Sequence, residues 1–376
     1  PSERWLPFDG TSSPAAPALT VARADPSGIV LQATLPGVFA SDQALAGTTY
    51  TRLYGPGYGH SREIGRPDLP VLRGDVEIPF GAEVTLELTQ ATYRDYRMAE
   101  VGLLPIYPLQ PPQPKTTGPV QPPAVDRDFY GHAARYPDSP VALGETYIVR
   151  GHRVQRVEVW PVAYDAAAGT VRFYSQVRLR LRLQGSDMQR TQMLAERYAS
   201  PAFEGVLARQ ILNYNQGRPA VQFSPDAPVG YLIITADAYA AAMAPFVTLK
   251  ESRGFDVTMV SCSDIGGCTS PANIQSYIIN AYNTWPLPPS YVLLVGDTNT
   301  VATWTGPVIG TSTDLYYGCM DGTGDWHPDI GRGRFPVRSA EQTTLMVNKY
   351  LAYSVLTGNE PWLKKASFPA TCDQYQ

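Results

Sequence analysis

Charge is scarce in this chain. Only 17% of its 376 residues are Asp, Glu, Lys or Arg, and 30 basic against 34 acidic side chains leave a net charge of -4 and a pI near 5.7. Neither a basic patch nor a run of like charge marks the sequence, so the electrostatic footprint of a nucleic-acid partner is missing. Long apolar runs are missing too. A membrane helix needs about 18 or more consecutive apolar residues, and none occurs. The N-terminus has no basic region followed by an apolar one, which is the expectation for a chain whose secretory signal has already gone. Cysteine and histidine number four each, and no close cysteine pair has metal-ligand spacing, so a zinc site is not indicated. Cys262 and Cys268 bracket Ser-Asp-Ile-Gly-Gly, a loop able to fold back and bring two sulfurs into bridging range, and a disulfide is expected there. Cys319 and Cys372 stand far apart with no evident partner.

What is abundant is proline (35), glycine (32) and tyrosine (23), a composition associated with rigid, loop-rich extracellular proteins. A length of 376 residues predicts two or three domains, each able to bury a core. From Thr20 to Leu183, short runs rich in Val, Leu, Thr and Tyr are punctuated by Gly and Pro, as in Ile29–Thr34, Glu83–Leu88 and Thr170–Ser175. Val177-Arg-Leu-Arg-Leu-Arg-Leu183 alternates strictly, the mark of a half-buried antiparallel strand. This half is therefore β-rich, either a sandwich or a strongly bent sheet. Pro105–Pro123 is too proline-rich to lie in a sheet and is expected to be an extended loop carrying a single charge, Lys115.

Between Met193 and Arg218 the apolar spacing suggests helical turns broken at Pro201. The division expected is a β-rich domain over 1–215, a linker over 216–228 and an α/β domain over 229–376. In the last of these, Val229–Thr235, Phe255–Val260 and Tyr291–Val295 are apolar runs of the buried-strand type. Helices are predicted over Ala236–Arg253, Asn273–Tyr282 and Ser339–Val355. Alternating strand and helix means right-handed crossovers and a parallel sheet between helical layers. Ala366–Thr371 begins a further strand, and a sheet left with an open parallel edge is expected to continue into more protein.

The stretch Tyr291–Arg334 carries the candidate chemistry. Asp297 follows a strand directly, and strand carboxyl ends are where open α/β sheets handle ligands. Asp314, Asp321, Asp325 and Asp329 follow among glycines, so Asp297 and these four are candidate calcium ligands, with turn caps as the plainer reading.

Gly230–Thr235, Lys250, Gly254–Val257, Tyr291–Asp297, Thr313–Tyr317, Asp321-Gly322, Asp329-Ile330 and Gly333–Val337 form an ordered series that resembles the gingipain family of secreted cysteine endopeptidases. Gly65–Leu72, Ile78-Pro79, Arg150–Val154, Pro161-Val162 and Tyr164 resemble that family's propeptide. The resemblance implies an antiparallel, sandwich-like propeptide domain followed by an incomplete three-layer α/β domain of caspase-like type. It also implies an extracellular zymogen that cleaves after a basic residue, with catalytic His and Cys later than Gln376. No catalytic residue is therefore assigned within the chain. In relatives an extended loop carries a basic residue into the specificity pocket, and Lys115 stands at roughly the corresponding place. Arg209 and Arg218 are the basic candidates for maturation cleavage, with Pro219 making the second a poor substrate. The partners implied are the remainder of the catalytic domain and protein or peptide substrates. Two other readings are a secreted adhesin on a catalytically inactive fold of this type and a calcium-dependent structural domain.

Overall fold

The structure is a computed structural model that describes residues 3–10, 13–112, 122–132, 135–221, 224, 226–307 and 310–368. Lys115 and Cys372 lie outside the described residues.

The β-rich half is built around the 15-residue strand Thr170–Gln184. Along one edge it pairs antiparallel with Glu83–Arg97, and along the other with Val162–Asp165 and Gly28–Thr34. Val177, Leu179, Leu181 and Leu183 are buried, while Arg178 and Arg182 are exposed on the opposite face. The strict alternation is thus realised as one wet and one dry face. A second antiparallel sheet is formed by Gly59–His60, Pro70–Glu77, His152–Val159 and Val141–Val149. The inner faces of both sheets feed one core, where Ile29, Leu31 and Leu179 meet Val71, Val76 and Val157. This is the sandwich-like arrangement expected, and a third sheet of Arg4–Pro7, Gly37–Leu45 and Thr48–Tyr54 closes its flank.

The second half is a four-stranded parallel sheet in the order Phe255–Ser261, Val229–Thr235, Pro289–Val295, Gly331–Phe335. The apolar runs of the two central strands are buried on both faces, but Phe255–Ser261, expected to be of the buried type, lies at the sheet edge and has no buried residue. Leu232, Ile234, Val292 and Leu294 pack against Ile274 and Ile278 of the helix Pro271–Thr284. The alternate residues Ile233, Leu293 and Val295 pack against Phe246 of Ala244–Ser252 and Val347 of Ala340–Ser354. Three layers result, and each residue of the two central strands faces a helix on one side or the other, which is why these runs read as continuous rather than alternating.

The helix expected over Ala236–Arg253 is corrected. The segment following Val229–Thr235 is not one helix: a 3-10 turn over Asp237–Met243 precedes the α-helix, whose Pro245 sits in the first turn, where its missing N–H costs no helical bond. Of the strand expected over Ala366–Thr371, residues 366–368 are irregular and 369–371 lie outside the described residues. Conversely, Gly331–Phe335 is a strand that composition conceals, since Gly-Arg-Gly-Arg-Phe is neither apolar nor β-branched. Glycine is required at its start, because a Cβ on Gly331 would stand 2.6 Å from the Tyr291 ring of the neighbouring strand.

Candidate functional site

A loop that follows a parallel strand lies at the sheet's carboxyl end, and one that precedes a strand lies at its amino end. Because Gly331–Phe335 is a strand, the candidate carboxylates after Val295 divide between the two ends.

Asp297 and Asp314 belong to the carboxyl end. At Gly296 the backbone turns with φ +148°, and a Cβ there would lie 2.7 Å from Val301, so only glycine fits. Asp297 then caps the turn: Oδ1 accepts from the N–H of Thr298 at 2.8 Å, and Oδ2 accepts from Arg338 Nε at 2.5 Å. The Thr298 hydrogen bond and the Arg338 guanidinium hold its carboxyl below the usual range. Asp314 receives Arg334 through two hydrogen bonds, each 2.8 Å, while the same guanidinium donates to the carbonyls of Gly296 and Val301. Arg334 thereby ties the loop across the strand ends, a role its sequence setting did not signal. The expected disulfide closes the neighbouring loop, with Cys262 and Cys268 bonded and their Cα atoms 5.1 Å apart. Cys268 also accepts from the N–H of Ala302 through its carbonyl.

Asp321, Asp325 and Asp329 belong to the amino end, and they come together. One carboxylate oxygen from each lies within 4.8 Å of the others. Asp329 is buried; its Oδ1 accepts from the N–H of Arg150 at 2.5 Å and its Oδ2 from the N–H of Met320 at 3.1 Å. Burial, and then the neighbouring Asp321, push its carboxyl well above the usual range. Asp321 is pushed up to about 6, by the surrounding protein first and by Asp325 second. Of the five candidate ligands, the structure therefore gathers three and assigns Asp297 and Asp314 to ion pairs. Three carboxylates this close could hold a metal ion.

The remaining candidates are dispersed. Arg209 is exposed on the helix Pro201–Gln210. The Arg218 side chain is buried; its Nε donates to Glu77 Oε1 at 2.9 Å, beside His152 Nδ1, which lies 3.0 Å from the same oxygen. Burial alone would raise Glu77, yet His152 and Arg218 outweigh it and hold the carboxyl below its ordinary value. Asn213 completes the cluster by pairing with both backbone groups of Glu77 at 2.7 and 2.9 Å. The first part of the expected linker is thus fastened to the β-rich half. Neither free thiol nor histidine near the acidic group is poised for nucleophilic chemistry. Burial pushes the Cys319 thiol up to about 12, which keeps it protonated. His327 stacks on Tyr147 at 3.7 Å.

A family model described as the C25 propeptide matches residues 53–216, and one described as peptidase family C25 matches residues 224–375, in that order. The chain belongs to the gingipain family of cysteine peptidases. Among its relatives, a Lys-gingipain of Porphyromonas gingivalis is 28% identical over 340 residues, covering 88% of this chain and 19% of that protein. Gingipain R1 of the same organism is 24% identical over 306 residues, covering 81% of this chain and 30% of the relative. The chain accordingly spans about a fifth of the length of the Lys-gingipains it matches. A solved structure titled for the zymogenic latency of gingipain K from P. gingivalis aligns with a TM-score of 0.43 and 19% identity, over 49% of this chain and all of that one, a likeness too slight to add to the family assignment. Among the described residues, no helix is long and apolar enough to cross a membrane.

Proposed function

We propose that this chain is the N-terminal portion of a secreted cysteine endopeptidase zymogen that cleaves after a basic residue. In this reading residues 1–215 are an inhibitory and folding-assisting propeptide, 216–228 a linker, and 229–376 the start of the catalytic domain. The observation that carries it is the ordered pair of family matches, which meet across residues 217–223. Relatives named for Lys and for gingipain R support preference for a basic residue without choosing between the two. The catalytic His and Cys belong to the part of the domain after residue 376. Labelling the full natural protein with a thiol-directed peptide electrophile carrying Lys or Arg tests this, and modification is expected only after the β-rich half is removed. Absence of labelling at that stage would favour a binding protein on an inactive fold.

Lys115 is the proposed inhibitory residue, on a proline-stiffened loop that loses little entropy on docking. Lys115→Ala is expected to weaken inhibition of the mature enzyme by the separate propeptide, and unchanged inhibition would overturn this. For maturation, Arg209 lies within a helix and Arg218 is held by Glu77, so either bond needs local opening before a peptidase can bind it. Sequencing the mature N-terminus decides between them.

Asp321, Asp325 and Asp329 would hold a structural calcium ion, whose charge would offset the burial and the mutual repulsion that raise two of these carboxyls. A chelator is then expected to lower the melting temperature and added calcium to restore it.

A further inference from the structure

The strands Val141–Val149 and His152–Val159 are joined by a two-residue turn, Arg150-Gly151, with φ +49° and +75°. This is the left-handed pair that a tight hairpin needs, and it favours Asn, Asp or Gly at the first position. Arginine there is a conformational outlier, so its side chain calls for an explanation. Gly151 is compulsory, since a Cβ would lie 2.5 Å from the Leu194 carbonyl and 2.8 Å from the Tyr198 ring.

The Arg150 side chain leaves the β-rich half and is 1% exposed. Its Nε donates to the Tyr198 carbonyl, and its Nη1 to the carbonyls of Pro289 and Asp329, all at 3.1 Å. Nη2 lies 3.5 Å from Ser290 Oγ. The guanidinium carbon sits 4.8 Å from the Phe203 ring centroid and 5.5 Å from that of Tyr282. Pro289, Ser290, Asp329 and Tyr282 all belong to the parallel-sheet half. The Asp329 carboxylate takes the backbone N–H of Arg150, so the side chain itself is read by carbonyl oxygens and ring faces. A planar fork with five donors meets such a set, whereas a lysine ammonium presents three donors from a single point and has no plane to lay against a ring.

We propose that these groups form a guanidinium-binding seat at the amino end of the parallel sheet, which Arg150 occupies to anchor the β-rich half. A small alkylguanidinium is expected to fill it when that side chain is missing. The inference stands on these contacts and is independent of the peptidase reading.

Arg150→Gly in the full chain is the test. Glycine suits the left-handed turn and keeps the backbone N–H to Asp329, so only the side chain is lost. Amide exchange of segments 281–291 and 327–331 should quicken roughly 10- to 100-fold, the factor that goes with losing a charge-assisted hydrogen bond. Segments 28–34 and 177–183 of the β-rich core should keep their protection. Tens of millimolar methylguanidinium should restore the slow exchange, and methylammonium at the same concentration should not. Arg150→Lys should remain loosened. Unchanged exchange at the seat, equal effects of both cations, or no rescue by either overturns the proposal. So does loosening that spreads to the β-rich core, which would make Arg150 a folding residue.

Discussion

The two ends of the parallel sheet are built on different principles. At the amino end the β-rich half covers the strand starts, and its polar contacts are dry: Arg150 with Asp329, and Ser200 with Ser290 at 2.7 Å, beside Tyr198 stacked on Tyr282 at 4.4 Å. At the carboxyl end the acidic groups are wetter: Asp237 and Asp264 are exposed, while Asp297, paired with Arg338, and Asp314, paired with Arg334, are half-buried. Asp237, Asp264 and Asp297 are held there by Ser and Thr hydrogen bonds and by Arg338, and each has its carboxyl lowered by those partners. A buried hydrogen-bonded charge is expensive to strip of its partner, while an exposed one falls back on solvent. The amino end is therefore where substitutions should unfasten the molecule.

The contrast can be broken most directly at Asp329. Asp329→Ala leaves the N–H groups of Arg150 and Met320 without their acceptor, and is expected to cost about 2–4 kcal/mol in denaturant unfolding. A cost no greater than that of a surface substitution would mean the two ends are not distinguished in this way. Next in size is the covalent tie at the carboxyl end. Removing the Cys262–Cys268 bridge by a double Cys→Ser change opens a loop of sequence separation 6, worth about 2 kcal/mol or less on chain entropy. The loss should be read in the exchange of 261–269 rather than at the amino end.

A pH series sharpens the comparison further. Asp321 titrates near 6 in the folded chain against about 4 when unfolded, so the folded state binds the extra proton between those values. Its contribution to stability is present below about pH 4 and is lost as the pH climbs to about 6. Calcium-free protein should accordingly lose stability across that window, Asp321→Asn should make the loss shallower while leaving the part that Asp329 carries, and saturating calcium should flatten the profile. The smallest effect is expected at Asp297→Ala, which breaks a half-exposed pair with Arg338 and the turn cap on Thr298 and should lower stability by about 1 kcal/mol or less in denaturant unfolding.

Much of the architecture was legible from patterning. Strict alternation in Val177–Leu183 and unbroken apolar runs in Val229–Thr235 and Tyr291–Val295 report the number of buried faces, because side chains alternate across a strand whatever surrounds it. The Gly-Gly loop between Cys262 and Cys268 was a local signal as well. What patterning missed was Gly331–Phe335, whose glycines and arginines obey its neighbours: Gly331 makes way for Tyr291, and Arg334 reaches back to Asp314. That single strand changes the site. Without it, all the aspartates after Val295 hang from one strand end. With it, the chain has crossed the sheet, so Asp321, Asp325 and Asp329 arrive at the opposite end from Asp297.

Arg150 and Arg218 were equally silent, since a charged residue in a turn or a proline-rich linker reads as solvated until a second chain segment is brought over it. By itself the sequence determined the two classes of sheet, the buried runs and the family, because these depend on periodicity and on an ordered series of short segments. Only the tertiary structure decided which carboxylates meet, which arginines are buried and which end of the sheet the β-rich half covers. Those outcomes depend on where distant segments cross, and neither charge nor local period encodes the crossing.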